Sequence, residues 1–162
     1  AYEGYGVEPD VMTLAKALGN GVPIGALLAK DAVASHFKPG DHGSTFGGNP
    51  LVCAAAFATV QAIEDENILA NVNEMGNYFK EKLVAFKEKY DFILDVRGKG
   101  LLLGMELAMK GTDIVAKCLE KGVIINCTHD TVLRFLPPLN VTTAEIDKAV
   151  AVMDEVFQTI EA

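Results

Sequence analysis

Seven apolar residues in the middle of the chain set the frame for everything around them. Ile68, Leu69, Val72, Met75, Phe79, Leu83 and Phe86 recur mostly at spacings of three and four, with Lys and Glu on the positions between. An α-helix turns once in about 3.6 residues, so this spacing gathers the apolar side chains into one stripe. A helix with one greasy face must lay that face on something, and the segments C-terminal to it supply a partner. Phe92–Val96 and Leu101–Leu107 read as strands joined by a turn at Arg97-Gly98-Lys99-Gly100. Thr112–Lys121 reads as a helix closed by Gly122, Val123–Asn126 as a strand, Thr128–Thr131 as a loop and Val132–Phe135 as another strand. Pro137-Pro138 then forbids further pairing. Thr142-x-x-Glu145 is a capping box, and it opens a last helix with Ile146, Ala149, Val150, Met153, Phe157 and Ile160 facing inward. The second part of the chain therefore reads as a sheet covered by helices, a small α+β domain.

The first part looks different. Val11–Leu14 and Ile24–Ala29 read as short buried strands, and Asp31 as the cap of a short helix through Phe37. His42–Pro50 is a polar, glycine-rich loop that ends on Asn49, a good N-cap, and on Pro50, which suits a first helical turn. The helix from Leu51 to Ile63 is alanine-rich and almost wholly apolar, so it is expected to be buried on most sides. Glu64-Asp65-Glu66-Asn67 breaks that pattern and marks a boundary, with one domain over 1–66 and a second over 67–162. Two strands and two helices do not make a complete sheet layer, so 1–66 reads as the tail of a larger domain. The opening Ala1-Tyr2-Glu3-Gly4 has no initiating Met and reads like the interior of a longer protein.

Charge and cysteine usage exclude several function classes. The net charge is −8 over 162 residues, with no basic stripe to meet a phosphate backbone, so nucleic acid is not an expected partner. No apolar run is long enough for a membrane span, and no polybasic amphipathic helix suits a membrane surface. Cys53, Cys118 and Cys127 are odd in number and lack C-x-x-C spacing; Cys53 and Cys118 sit among apolar residues and read as core filling. That usage fits a reducing, cytoplasmic setting. His36, His42 and His129 are isolated from any ligand cluster, so no metal site is expected.

Three features could carry chemistry. Lys16 stands alone among Leu14, Ala15, Ala17 and Leu18, and its nearest basic neighbour in sequence is Lys30. It is either a solvated turn lysine or an amine held ready to attack a carbonyl, which it does only when neutral. Gly43-Ser44-Thr45-Phe46-Gly47-Gly48 offers hydroxyls, close backbone approach and the N-terminus of the next helix. It is either an ordinary helix-entry loop or a phosphate site. Arg134 lies in the apolar strand Val132–Leu136, where a desolvated guanidinium needs an anion: a substrate carboxylate or an internal Asp or Glu. The chain's other arginine, Arg97, sits before glycines and reads as a structural turn residue. An amine, an anion loop and a carboxylate clamp together are the equipment for amino-group transfer with pyridoxal phosphate.

Thr-Leu-Ala-Lys-Ala-Leu-Gly over 13–19, Gly21-Val22-Pro23-Ile24-Gly25 and His42–Pro50 resemble class III aminotransferases, pyridoxal-phosphate enzymes of fold type I. Val96–Leu101 and Leu133–Leu139 are most similar to the branch acting on acetylornithine, followed by those acting on ornithine and succinylornithine. The resemblance runs the length of the chain, and it implies the α/β fold of that family. It further implies that Lys16 holds the cofactor as a Schiff base and moves the proton between substrate Cα and cofactor. Thr45, with Ser44 as a weaker candidate, would reach the cofactor phosphate of the other subunit of a homodimer. Arg134 would hold the substrate α-carboxylate. The reaction implied moves the amino group of N-acetylornithine, or of ornithine, succinylornithine or 4-aminobutyrate, to 2-oxoglutarate. The acetylornithine reaction belongs to arginine biosynthesis. The family's phosphate loop, its stacking aromatic ring and the Asp that pairs with the pyridine nitrogen have no counterpart in this sequence. The chain alone is therefore expected to be inactive, at most a cofactor-free folding or dimerisation module.

Overall fold

The computed structural model describes residues 2–160, which form two compact units, Ala1–Glu66 and Asn67–Ala162. The outermost ends of the two expected domains, at residue 1 and at residues 161 and 162, lie outside the described residues.

In the first unit, β1 (Val11–Leu14) pairs antiparallel with β2 (Ala26–Ala29), Val11 opposite Ala29 and Leu14 opposite Ala26. β2 starts two residues later than the apolar run suggests, because only Ala26 onward finds ladder partners. Between the strands a 3-10 turn spans Lys16–Gly19. After β2 comes α1 (Asp31–Ala34), a single turn that stops short of Phe37; Lys30, not Asp31, occupies its cap position and no side chain caps it. Then comes α2 (Pro50–Asp65), with Asn49 Oδ1 accepting from Leu51 N–H at 2.9 Å and Pro50 in the first turn. The expected burial of α2 is corrected here. Ala56 is its one buried residue, while Leu51, Phe57 and Val60 are 73%, 65% and 45% exposed. Cys53, expected in a core, is exposed with them. The apolar composition says which surface the helix is suited to meet; within this unit its main packing partner is the Lys16–Gly19 turn.

The second unit has its own core. α3 (Ile68–Lys89) presents Met75, Phe79, Leu83 and Phe86 to a four-stranded antiparallel sheet ordered β3-β4-β6-β5. The strands are β3 (Ile93–Lys99), β4 (Leu102–Leu107), β5 (Asn126–Thr128) and β6 (Val132–Phe135). α4 (Thr112–Glu120) and α5 (Thr143–Gln158) complete the helical layer. Leu103, Met105, Leu107, Leu133 and Phe135 point into the core, and the alternating residues of the same strands point to the open face. Phe157 is fully buried and meets Phe86, Tyr90 and Phe92 edge-on, with ring centroids 5.2, 5.4 and 5.6 Å apart. These contacts add about 0.5–1.5 kcal/mol each to the burial of the rings. The capping box is formed: Thr142 Oγ1 accepts from Glu145 N–H, and Glu145 Oε2 accepts from Thr142 N–H at 2.8 Å.

Two strand readings shift. β3 runs through Arg97 to Lys99, so Arg97 is a strand residue rather than a turn residue; β4 pairs back as far as Leu102 opposite Lys99. β5 begins at Asn126, where Val123–Asn126 was expected. The segment leaving α4 spends Val123 N–H on the Cys118 carbonyl, and the ladder with β6 opens only at Asn126 opposite Arg134.

Gly76, in the middle of α3, faces the β3–β4 turn. A Cβ there would lie 2.6–2.7 Å from the carbonyl carbon, oxygen and Cα of Gly100, so helix and hairpin touch backbone to backbone. Among the described residues no helix is long and apolar enough to cross a membrane.

Candidate functional site

Lys16 opens the turn that follows β1. The chain arrives extended at Ala15 (φ −161°, ψ −162°) and turns sharply at Lys16, whose φ of +54° is in the left-handed region. For a residue with a side chain that conformation costs about 1–2 kcal/mol, and such strain gathers where geometry serves function. The turn is closed by Leu18 N–H donating to the Ala15 carbonyl at 3.2 Å and Asn20 N–H donating to the Ala17 carbonyl at 3.1 Å. It is anchored by Gly19, which is buried so closely that a Cβ would sit 2.8 Å from Ile24 Cγ2. The Lys16 side chain is exposed, and no hydrogen bond or ion pair to another described residue holds its amine. Lys30 contrasts with it, since Glu8 and Asp10 hold its ammonium at 3.4 and 3.1 Å.

The Ser44–Gly48 loop is built locally. Ser44 Oγ accepts from Gly47 N–H at 2.8 Å, and a Cβ on Gly47 would lie 2.7 Å from that oxygen. The hydroxyl oxygen of Ser44 is thus partly engaged by its own loop. Thr45 is exposed, and its hydroxyl meets no other described residue. The loop feeds directly into the N-terminus of α2, and α2 packs on the Lys16–Gly19 turn. One helix thereby links the hydroxyl-bearing loop to the lysine-bearing turn.

Arg134 belongs to the second unit. It was expected to be desolvated, and this is corrected: Arg134 is exposed, because β6 alternates and Leu133 and Phe135 take the core side. No carboxylate among the described residues pairs with it, so the internal Asp or Glu left open by the sequence is absent. Its cross-strand neighbours are Gly104 on β4 and Asn126 on β5, and Gly104 is opposite Arg97 on β3. Arg97 is on the same open face, but its Nη1 is bound to Asp95 Oδ2 at 3.0 Å and Glu106 Oε2 at 2.6 Å. The Arg97 hydrogen bond holds the Asp95 carboxyl below the usual carboxylate range. Reading the sequence missed this cluster, although Asp95 and Arg97 two apart in a strand share a face and could have disclosed it. A groove of ≈ 660 Å³ in the same unit, lined by apolar residues such as Phe79, Ile125 and Pro138, includes none of the candidate residues.

The Lys16 amine and the Thr45 hydroxyl in the first unit, and the Arg134 guanidinium in the second, each have no hydrogen-bond or ion-pair partner among the described residues.

The family pattern described as Aminotransferase class-III matches residues 1–157. An acetylornithine aminotransferase of Methanocaldococcus jannaschii is 57% identical over 161 residues, 99% of this chain and 40% of the relative. One of Clostridium acetobutylicum is 51% identical, over 96% of this chain and 40% of the relative. Among solved structures, the ornithine aminotransferase of Toxoplasma gondii superimposes with a TM-score of 0.92 at 35% identity, over 99% of this chain and 39% of that one. The chain thus spans about two fifths of the length of the relatives it matches.

Proposed function

Because the chain belongs to the class III aminotransferases, with their fold type I architecture, we propose that it is the C-terminal part of a pyridoxal-phosphate transaminase. In this reading Ala1–Glu66 is the tail of the large cofactor-binding domain and Asn67–Ala162 is the small C-terminal domain. The observation that carries the reading is Lys16: an amine with no partner among the described residues, on a strained, well-anchored turn.

Lys16 would tether the cofactor through its Nζ. The same amine would move the proton at the carbon that bears the transferred amine, Cδ of N-acetylornithine and Cα of glutamate. Its setting suits both tasks, since no carboxylate among the described residues pairs with the amine. Thr45 would donate its hydroxyl to the cofactor phosphate, in the partner subunit of a homodimer, with Ser44 beside it. Arg134 would grip the substrate α-carboxylate with its planar fork, which in glutamate orients the adjacent Cα–H bond. Bound pyridoxal phosphate supplies the electron sink that makes the C–H beside the transferred amine acidic.

The amino donor in this reading is N-acetylornithine and the acceptor 2-oxoglutarate, a cytoplasmic step of arginine biosynthesis. Two relatives at 57% and 51% identity carry the acetylornithine name. An ornithine donor is the second reading, favoured by the similarity to the Toxoplasma structure.

The test is borohydride reduction of the intact enzyme with pyridoxal phosphate, followed by peptide mapping. Label confined to Lys16, and lost in Lys16→Ala, is expected. Label spread over Lys30, Lys38 and other surface lysines would overturn the assignment. The isolated chain of 162 residues is expected to show no turnover of acetylornithine, because the groups that stack on the ring and pair with its nitrogen have no counterpart here.

A further inference from the structure

Arg134 stands at the end of its sheet. β6 closes one residue later, at Phe135, whose partner on β4 is Leu103. On the β5 side, among the described residues, Asn126 opposite Arg134 is already the last pair toward that end. Leu136 follows, and then Pro137 and Pro138, which have no N–H to give to a ladder. Strand ends open readily unless the chain beyond them is tied down. α3 ties it at two levels. Phe79 meets Phe135 edge-on, with ring centroids 5.3 Å apart. About two turns earlier on the helix, Asn71 donates from Nδ2 to the Leu139 carbonyl at 2.8 Å and to the Val141 carbonyl at 3.2 Å. Both partners are carbonyls, which only accept, so the amide must present its nitrogen to them. Val141 is buried, and its own N–H donates to the Pro138 carbonyl at 3.0 Å. One side chain in the first turn of α3 thus grips the turn that follows β6, from 68 and 70 residues away in sequence.

We infer that Asn71 is a positioning residue for carboxylate binding: by fixing the chain just past β6, it keeps the strand end closed and the Arg134 guanidinium in place. This rests on the reading of Arg134 as the carboxylate clamp. Asn71 acts through Arg134 and not on the substrate itself.

The test uses the intact enzyme and steady-state kinetics with glutamate as amino donor. Asn71→Ala releases the two carbonyls, so kcat/KM for glutamate is expected to fall about three- to fivefold, within the worth of one ordinary hydrogen bond. Asn71→Asp keeps the shape of the side chain but turns carboxylate oxygens toward the two carbonyls, so its fall is expected to be larger; an Asn71→Asp enzyme that matches the parent overturns the inference. Arg134→Gln separates this inference from the reading beneath it. A kcat/KM lowered about tenfold or more, as for a lost charged hydrogen bond, supports the clamp whatever Asn71 does, and an unchanged kcat/KM sinks the clamp and the inference together. On the Arg134→Gln background Asn71→Ala has nothing left to position, and its effect is expected to vanish, a coupling that independent sites do not show. The same fall in both backgrounds, or a lowered melting temperature of Asn71→Ala with kcat/KM unmoved, would make Asn71 a structural residue only and overturn the inference. If Asn71→Ala does not fold, Asn71→Ser, which keeps one donor, carries the same pair of backgrounds with a smaller fall that Arg134→Gln removes.

Discussion

Gly76→Ala sets two effects of opposite sign against each other. In a helix interior alanine is favoured over glycine by about 1 kcal/mol, so on propensity alone the substitution should stabilise α3. The structure reverses the sign. The new Cβ would sit 2.6–2.7 Å from three backbone atoms of Gly100, where carbon contacts prefer about 3.5–4.0 Å. None of the three is the flexible end of a side chain, so relief requires the helix and the hairpin to part by nearly an ångström. That displacement drags Met75 and Phe79, which flank Gly76 on the helix and are 6% and 4% exposed, out of their packing. Overpacking of a well-filled core costs about 1–3 kcal/mol, and a clash with fixed backbone belongs at the upper end. After subtracting the propensity gain, the net loss is about 2 kcal/mol. For a unit of this size that lowers the melting temperature by roughly 8–16 °C. Thermal unfolding of the 162-residue chain followed by circular dichroism reads this directly. A Gly76→Ala melting temperature at or above that of the parent would refute the backbone-contact reasoning.

Two more outcomes concern the helix seams and the thiols. α3 and α5 are tied by paired carboxylates: Asp147 accepts from Tyr78 Oη at 2.7 Å, and Asp154 accepts from Lys89 Nζ at 2.6 Å and Tyr90 Oη at 2.7 Å. The Tyr78 hydrogen bond, aided by Lys82, holds the Asp147 carboxyl below the usual carboxylate range; burial pushes the Asp154 carboxyl up, but Lys89 and Tyr90 outweigh it and hold it low as well. Depressed carboxylates contribute stability that is present above the unfolded value of about 3.9 and is lost as pH falls through the lower folded values. Urea midpoints should therefore drop below about pH 4, and Asp147→Asn with Asp154→Asn should flatten that drop; an unchanged acid limb in the double variant would contradict it. Burial pushes the Cys118 thiol up to about 11, while Cys53 is exposed. Iodoacetamide at pH 8 should alkylate Cys53 in the folded chain and reach Cys118 only after unfolding, as mass mapping would show.

Short-range information was enough for much of the architecture. The three- and four-residue spacing from Ile68 to Phe86 specifies a helix with one apolar stripe because the α-helical period permits nothing else. Asn49-Pro50 and Thr142-x-x-Glu145 disclose their helix starts because a cap is a contact between residues two or three apart. Lys16 and Arg134 were singled out as chemically capable residues in unusual local settings, and Thr45 by its match to the family motif. What the chain could not disclose alone depends on residues far apart in it. The shift of β5 to Asn126 is decided by β6. The exposure of α2 is decided by how little surface its own unit offers it. Arg134 was misjudged as desolvated because an apolar strand gives no sign of which side is covered until helices pack on the other. That Glu106 holds Arg97 follows from the register of β3 and β4, and register is set by the core that buries Leu103, Met105, Leu133 and Phe135 on the opposite face.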